Sequence, residues 1–168
     1  LGAVALTAND RVVLRDMGTR LAALSAAELA ALAGKGVDRL EATDGTLALT
    51  VAQFKALPGV SLAEGDLITL RDTGAALAGL SATDFAGLAA RRIDILDATD
   101  GAVVLTVAQA TAIGGAVQFA DSDRVTVRDT QAVLAALTPG EIAALAGRKV
   151  DSLDASAGFL SLGVAQYR

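Results

Sequence analysis

The chain has 168 residues and a net charge of −5, which argues against nucleic-acid binding, because phosphates demand an excess of Lys and Arg. It contains neither Cys nor His, and this excludes disulfides, thiolate chemistry, imidazole bases and Cys/His zinc sites. Although 53% of the residues are hydrophobic, only 3% are aromatic, so we predict a core built mainly from Ala, Val and Leu.

A three-residue motif shows that the sequence repeats three times. It occurs as Leu14-Arg15-Asp16, Leu70-Arg71-Asp72 and Val127-Arg128-Asp129, at spacings of 56 and 57 residues. A fixed period of about this length is typical of stacked repeat architectures. We therefore predict a single repeat array with units at about 1–57, 58–114 and 115–168. Because neither end shows the atypical capping repeat that stacked arrays need, we expect a fragment of a longer protein.

The second copy shows the predicted elements in chain order. Leu62, and then Ile68 with Leu70, predict short strands with alternating burial, and Asp72-Thr73-Gly74 predicts a turn. A helix is expected to begin at Ser81 and to run to about Ala90. Its start is indicated by a capping box, in which Ser or Thr is followed three residues later by an acid. The three copies of this box are Ser25/Glu28, Ser81/Asp84 and Thr138/Glu141.

The second half of the unit follows a similar plan. A strand is predicted from Ile93, a turn at Thr99-Asp100-Gly101, and a further strand at Val103 and Leu105. Thr106 and Gln109 predict a smaller capping box that opens a single helical turn. Each unit then contains two strand–turn–strand–helix coils, so the predicted fold is α/β, a right-handed repeat solenoid.

The shorter half resembles a leucine-rich repeat. That family follows the pattern L-x-x-L-x-L-x-x-N-x-L, and Val37, Leu40, Ala42, Gly45 and Leu47 stand at those spacings. Gly45 replaces the family's Asn, and Ala42 replaces a core Leu. The resemblance implies a leucine-rich-repeat-like solenoid with an exposed strand face.

The whole unit also resembles tandem repeats of very large secreted or surface proteins of bacteria, several of them adhesin-like. The resemblance rests on the motif V-D-x-L-D-A-T-D-G-x-L-x-L-T-V-A-Q and covers essentially all 168 residues. It implies an extracellular or cell-surface location and a structural or adhesive role. It identifies no active site.

Aspartates recur in register from copy to copy, which allows two interpretations. They could bind calcium, since hard cations take several oxygen ligands. Alternatively, they could serve turns and helix caps, because Asp accepts hydrogen bonds from nearby backbone. The candidates for calcium ligands are Asp94, Asp97 and Asp100, with Asp121 and Asp123 as a second cluster. No D-x-D-x-D-G loop occurs, so the second interpretation is favoured and no metal site is assigned.

Enzyme activity is not predicted. The chain has no phosphate-binding loop and no triad histidine, and recurring carboxylates do not single out one catalytic pair. We predict a structural or adhesive repeat segment, a stiff spacer without a cofactor unless calcium binds. The alternative is a module that binds a protein or polysaccharide on its strand face.

The expected partners follow from the same reasoning. The apolar ends of an uncapped array favour end-to-end stacking with other copies of the repeat. One stretch, 101–120, is long enough for a membrane span and carries no charge, but Gly114-Gly115, Gln109 and Gln118 interrupt it. We therefore predict no membrane span and no nucleic-acid partner.

Overall fold

The structure, a computed structural model, describes residues 10–167. It divides the chain into two compact units, Leu1–Arg71 and Asp72–Arg168. In both units short parallel strands alternate with short helices. We describe each unit by itself.

The described part of unit 1 starts with a strand at Val12, and its last strand ends at Asp72, the first residue of unit 2. Its elements are β1 (Val12–Asp16), α1 (Gly18–Ala22), α2 (Ala26–Ala30), a 3₁₀ turn (Ala33–Lys35), β2 (Val37–Ala42), β3 (Thr46–Leu49), α3 (Val51–Lys55), β4 (Ser61–Leu62) and β5 (Leu67–Asp72). Strand β2 lies between β1 and β4, and β3 pairs with β5, in each case in parallel.

Unit 2 repeats this order of elements and adds a second cycle. Its elements are α4 (Gly74–Ala78), α5 (Ala82–Gly87), a 3₁₀ turn (Ala89–Arg91), β6 (Ile95–Ala98), β7 (Ala102–Leu105), α6 (Val107–Ala112), β8 (Gln118–Phe119), β9 (Arg124–Asp129), α7 (Gln131–Ala135), α8 (Pro139–Gly147), β10 (Ser152–Ala155) and α9 (Val164–Tyr167). Strand β6 pairs with β8, and β9 lies between β7 and β10.

The structure contradicts the prediction of a right-handed, leucine-rich-repeat-like solenoid. The α/β class is correct, but strands within residues 10–167 form three small parallel sheets of three, four and three strands. Counterpart strands do not join one continuous sheet: β1, β5 and β9 lie in three different sheets, and so do β2, β6 and β10. The period predicts which local elements recur, whereas the choice of pairing partner is a tertiary property that the period does not fix.

The predicted helix starts are confirmed. Ser25, Ser81 and Thr138 each accept a hydrogen bond from the backbone N–H of the acid three residues later, which bonds back to the cap residue. Thr50 and Thr106 form the same reciprocal pair with a glutamine, as predicted for Thr106. Such caps satisfy backbone N–H groups that the first helical turn leaves without partners.

The predicted turn at Asp72-Thr73-Gly74 is wrong, because a helix begins there. Thr73 is the N-cap of α4 and accepts a hydrogen bond from the backbone N–H of Ala76. The counterpart helices are α1 and α7. Each of the three has five residues, too few to show a helical hydrophobic period in the sequence.

Each unit buries a small apolar core. The largest fully buried side chains of unit 1 are Leu21, Leu29, Leu40, Leu47, Leu49, Phe54, Ile68 and Leu70. Those of unit 2 include Leu77, Leu80, Phe85 and Phe119. Along β3 and β7 burial alternates residue by residue, as expected for strands with one face toward a core.

Glycine allows a helix start to approach a strand closely in both units. A Cβ atom at Gly18 would lie 1.8 Å from the carbonyl oxygen of Thr46, and one at Gly74 would lie 1.7 Å from that of Ala102. Neither distance is sterically tolerable for a side chain. The position therefore requires glycine for space.

The substitution Gly74→Ala should destabilise the protein by about 3 kcal/mol or more, because the added methyl group must displace the backbone of β7. Urea unfolding followed by circular dichroism measures this change. Gly87→Ala is the matched control: Gly87 also lies in a helix, but a Cβ atom there meets nothing within 4 Å. The control should be neutral or up to about 1 kcal/mol more stable, and equal losses in both variants would contradict the steric argument.

Candidate functional site

The recurring aspartates bind backbone N–H groups of distant elements. Asp44 accepts from Gly18 N–H at 2.9 Å, and its counterpart Asp100 accepts from Gly74 N–H at 2.7 Å. Both bonds span 26 residues. Each carboxylate thus ties the turn before a strand to the first residue of a helix, and satisfies an N–H that the helix itself leaves unpaired.

Aspartates at two further repeat positions accept hydrogen bonds from backbone N–H groups of strands. Asp38 accepts from Val12 N–H at 2.7 Å and Asp151 from Val125 N–H at 2.6 Å. In the other set, Asp66 accepts from Ala42 N–H and Asp123 from Ala98 N–H, both at 2.7 Å. Short bonds from N–H to carboxylate are charge-assisted and stronger than neutral hydrogen bonds.

The fourth set makes a local contact. Asp16, Asp72 and Asp129 each accept, at 2.8 Å, from the backbone N–H of the following residue. Asp129 also accepts from Val107 N–H at 3.2 Å through its second oxygen. These aspartates end β1, β5 and β9, so the carboxylate guides the chain from a strand into the following helix.

Three glutamines at counterpart positions bind distant carbonyl groups, a role that the sequence analysis did not predict; of the three, only Gln109 was predicted to form a capping box. The side-chain amide of Gln53 donates to the carbonyl oxygens of Ala22 and Leu24, both at 2.7 Å. Gln109 and Gln166 make the same pair of bonds, to the carbonyls of Ala78 and Leu80 and of Ala135 and Leu137. The recurrence of Gln was visible in the sequence, but its acceptors lie 29 and 31 residues earlier and carry no sequence signal.

The calcium candidates do not form a coordination sphere. Asp100 holds Gly74 N–H, and Asp121 is exposed and forms an ion pair with Lys149 at 2.5 Å. Asp97 lies on β6 and Asp94 just before it, both partly exposed. Across the described range 10–167, no group of three or more acidic side chains is placed so that it could hold a metal ion.

Asp123 is the one candidate with an unusual environment. Its side chain is in a residue only 7% exposed, and this burial raises the pKa of its carboxyl above the ordinary value of 3.8. Nearby Asp97 and Asp100 raise the pKa further, whereas the Ala98 N–H and the Ser122 hydroxyl oppose the shift. The folded protein therefore stabilises the protonated form of Asp123 more than the unfolded chain does.

The capping acids shift in the opposite direction. The backbone N–H and then the hydroxyl of Ser25 lower the pKa of Glu28, and Thr138 lowers that of Glu141 in the same way. Both glutamates are therefore ionised as hydrogen-bond acceptors at helix starts. Their shifted pKa values are explained by capping and do not indicate catalysis.

The third copy departs from the pattern at linked positions. Gln131 stands where the first two copies have Gly18 and Gly74, and Ala157 stands where they have Asp44 and Asp100. Within the described residues no strand forms at 159–162, the counterpart of β3 and β7. The third copy thus lacks the carboxylate, the glycine whose N–H the carboxylate binds in the other copies, and the strand that packs against that glycine.

Comparison with known proteins does not identify a family for this chain. No family model, curated protein or solved structure matches the chain.

None of the helices within residues 10–167 is long and apolar enough to cross a membrane. The longest of them, α8, has nine residues.

The substitution Asp123→Asn should raise the melting temperature at neutral pH by roughly 2 °C. Because the folded pKa of Asp123 is raised, its contribution to stability is complete below the ordinary value of 3.8 and is lost as the pH rises through the folded value. Asparagine keeps an oxygen for Ala98 N–H and carries no charge, so the gain over wild type should grow from acid to neutral pH. Calorimetry across that range measures it.

Asp66→Asn is the matched control for this experiment. Asp66 makes the same bond to a backbone N–H, but its residue is more exposed than Asp123. The control variant Asp66→Asn should therefore gain less stability than Asp123→Asn. A loss of stability in Asp123→Asn that is largest at neutral pH would contradict the argument, because it would mean that the fold favours the charged carboxylate.

Calcium should leave the stability unchanged. The carboxylates of Asp38, Asp44, Asp66, Asp100 and Asp151 already accept backbone N–H groups, so a cation would have to compete with bonds of 2.6–2.9 Å. Thermal unfolding in millimolar calcium and in chelator should give the same midpoint. A midpoint that rises by many degrees with calcium would show that the aspartates are metal ligands.

Proposed function

We propose that the chain is a structural repeat segment, a spacer of a large secreted or cell-surface bacterial protein. The observation that carries this proposal is the use of the recurring polar side chains. In both units, residues at counterpart positions make the same bonds to backbone, and those bonds hold neighbouring elements together.

The glutamine contacts show how elements within one copy of the repeat are held together. One Gln side chain accepts from its own N-cap residue and donates to two carbonyl oxygens near the end of an earlier helix. Three backbone groups are thereby satisfied by one side chain. Since a buried polar backbone group without a partner costs about 1–3 kcal/mol, such a contact stabilises the repeat wherever it recurs.

The electrostatics of the chain also support a structural role. A general acid or base needs a carboxylate whose pKa is tuned and whose oxygens face a substrate. The recurring aspartates instead direct their oxygens to backbone N–H groups, and they do so at several equivalent places. The resemblance of the repeat unit to those of large bacterial surface proteins supports an extracellular or surface location and a structural or adhesive setting.

A binding module for a protein or polysaccharide is the second candidate. It is favoured by an open groove of about 720 Å³ in unit 2. The groove is lined by Val104 on β7, Thr106, Arg128 on β9 and Ser156. Arg128 forms an ion pair with Asp154 at 3.3 Å, and the rest of the lining combines apolar side chains with the polar Thr106, Gln109 and Ser156.

The location of the protein tests the first proposal. An antibody raised against the chain should label intact source cells or detect the protein in the culture medium, and external protease should remove the surface label. A cytoplasmic protein probed in the same cells is the control.

Two results would contradict the spacer. Labelling that appears only after lysis would place the chain inside the cell. Saturable binding of an immobilised polysaccharide or protein, abolished by Arg128→Ala, would favour the binding module. Arg148→Ala is a suitable control for such binding, because Arg148 lies outside the groove and donates to the Ala144 carbonyl of α8, the helix that it follows.

A further inference from the structure

Two aspartates of the chain, Asp44 and Asp100, are each followed directly by a glycine. An Asp-Gly linkage is especially open to rearrangement, because glycine has no side chain to hinder attack by its own nitrogen on the aspartate side chain. Both pairs lie in turns that join two strands, and both aspartates are exposed. Burial therefore does not protect them from this reaction.

The rearrangement converts aspartate into isoaspartate through a cyclic intermediate. The glycine nitrogen attacks Cγ of the aspartate and a C–N bond forms, while the N–H proton leaves with one protonated carboxyl oxygen as water. The product is a succinimide ring. Water then opens the ring at either of its carbonyl groups: one opening returns aspartate, and the other gives isoaspartate, whose main chain runs through Cγ and is one carbon longer.

In unit 2 both reacting groups are already hydrogen-bonded within the fold. Asp100 accepts from Gly74 N–H at 2.7 Å, and the attacking group, Gly101 N–H, donates to the carbonyl oxygen of Ala98 at 2.8 Å. The first bond holds the carboxyl group that must react with the Gly101 nitrogen, and the second holds the proton that this nitrogen must lose. Formation of the succinimide is therefore slowed by both bonds, because it proceeds from a locally opened state.

Unit 1 has the same arrangement with longer bonds. Asp44 accepts from Gly18 N–H at 2.9 Å, and Gly45 N–H donates to the carbonyl oxygen of Ala42 at 3.2 Å. Longer hydrogen bonds are weaker, so the protection of Asp44 should be less complete than that of Asp100.

The third copy forms a similar bend in which both bonds are missing. It starts in the same way, since Ser156 N–H donates to the carbonyl oxygen of Asp129, a bond that the first two copies also make at this place. Gly158 has a φ of 80°, close to the 70° of Gly101. However, Ala157 stands at the position of the aspartate, and Gly158 N–H has no backbone acceptor among the described residues.

We infer that Asp44-Gly45 and Asp100-Gly101 are two modification sites that the fold keeps closed, because the bond from each carboxylate to a helix start suppresses isoaspartate formation. Conversion at either site would break that bond for good, since the longer main chain displaces the carboxylate from the glycine N–H. The contacts that hold the helix starts thus also preserve the covalent chain.

This inference goes beyond the proposed structural function, since it concerns the chemical stability of the chain. Its test measures rearrangement of two peptide linkages, whereas the test of the proposed function measures location. Either one can fail without the other.

Peptide mapping of the variant Ala157→Asp tests the inference, because this variant has an Asp-Gly pair in all three copies. Trypsin places the three pairs on separate peptides, residues 40–55, 93–124 and 150–168. The variant is incubated at neutral pH, once folded and once in concentrated urea, and electron-transfer fragmentation measures isoaspartate in each peptide. Wild-type protein, treated in the same way, is the control for Asp44 and Asp100.

The expected rates differ between the two conditions. In urea all three pairs should convert at similar rates. In the folded variant the pair at position 157 should convert at least about tenfold faster than the pair at Asp100, because a hydrogen bond to a charged group contributes enough free energy for a change of that size. The rate at Asp44 should lie between the other two.

Two asparagine variants give a second measurement. Asparagine before glycine undergoes the same attack but loses ammonia, and the hydrolysed product is heavier than the starting protein, so intact mass reports the reaction. In Asp100→Asn the amide keeps an oxygen for Gly74 N–H, whereas Ala157→Asn has no such partner. Folded Asp100→Asn should therefore keep its mass while folded Ala157→Asn gains it, and circular dichroism melting shows that each variant is folded.

Two outcomes would overturn the inference. Conversion of Asp44 and Asp100 at equal rates in the folded protein and in urea would show that the fold does not protect them. Conversion at position 157 that is as slow as at Asp100 in the folded variant would show that protection does not depend on the two bonds.

Discussion

The hydrogen bond from a side chain to a distant backbone group is the constraint on which this structure depends. The helices are mostly four to six residues long and the strands two to six, so local hydrogen bonding satisfies only part of the backbone. Side-chain carboxylates and amides satisfy further backbone groups that lie 22–31 residues away along the chain. A buried N–H or carbonyl group without a partner is costly, so these contacts are a condition of the fold.

The fold also depends on small residues at the places where a helix meets a strand. Gly18 and Gly74 allow a helix start to lie against a strand carbonyl, which the adjacent carboxylate of Asp44 or Asp100 then stabilises through the glycine N–H. The glycine and the aspartate therefore work as a pair: the first gives space, and the second binds the N–H group of the first. The third copy supports this interpretation, since it replaces both members, with Gln131 and Ala157, where the approaching strand is missing.

The aspartates illustrate why recurrence alone does not reveal function. A regular series of carboxylates allowed two interpretations, calcium ligands and the favoured one of turns and caps, and metal binding requires several oxygens that converge on one point. Most of these carboxylates instead each accept a hydrogen bond from a different backbone N–H group. At Asp123, burial raises the pKa of the carboxyl, and the nearby charges of Asp97 and Asp100 raise it further. The folded protein therefore stabilises the protonated form of Asp123 more than the unfolded chain does.

The sequence by itself determined the repeat, the capped helix starts, the α/β class and the positions of the polar residues. These properties are local: a capping box needs only residues three apart, and burial in a strand alternates with every residue. Only the tertiary structure decided which strands pair, which carbonyls the glutamines bind and that α1, α4 and α7 are helices. Partners 21 to 31 residues apart are chosen by packing and by the need to satisfy backbone groups, so three small sheets form within residues 10–167 where the period alone suggested one continuous stack.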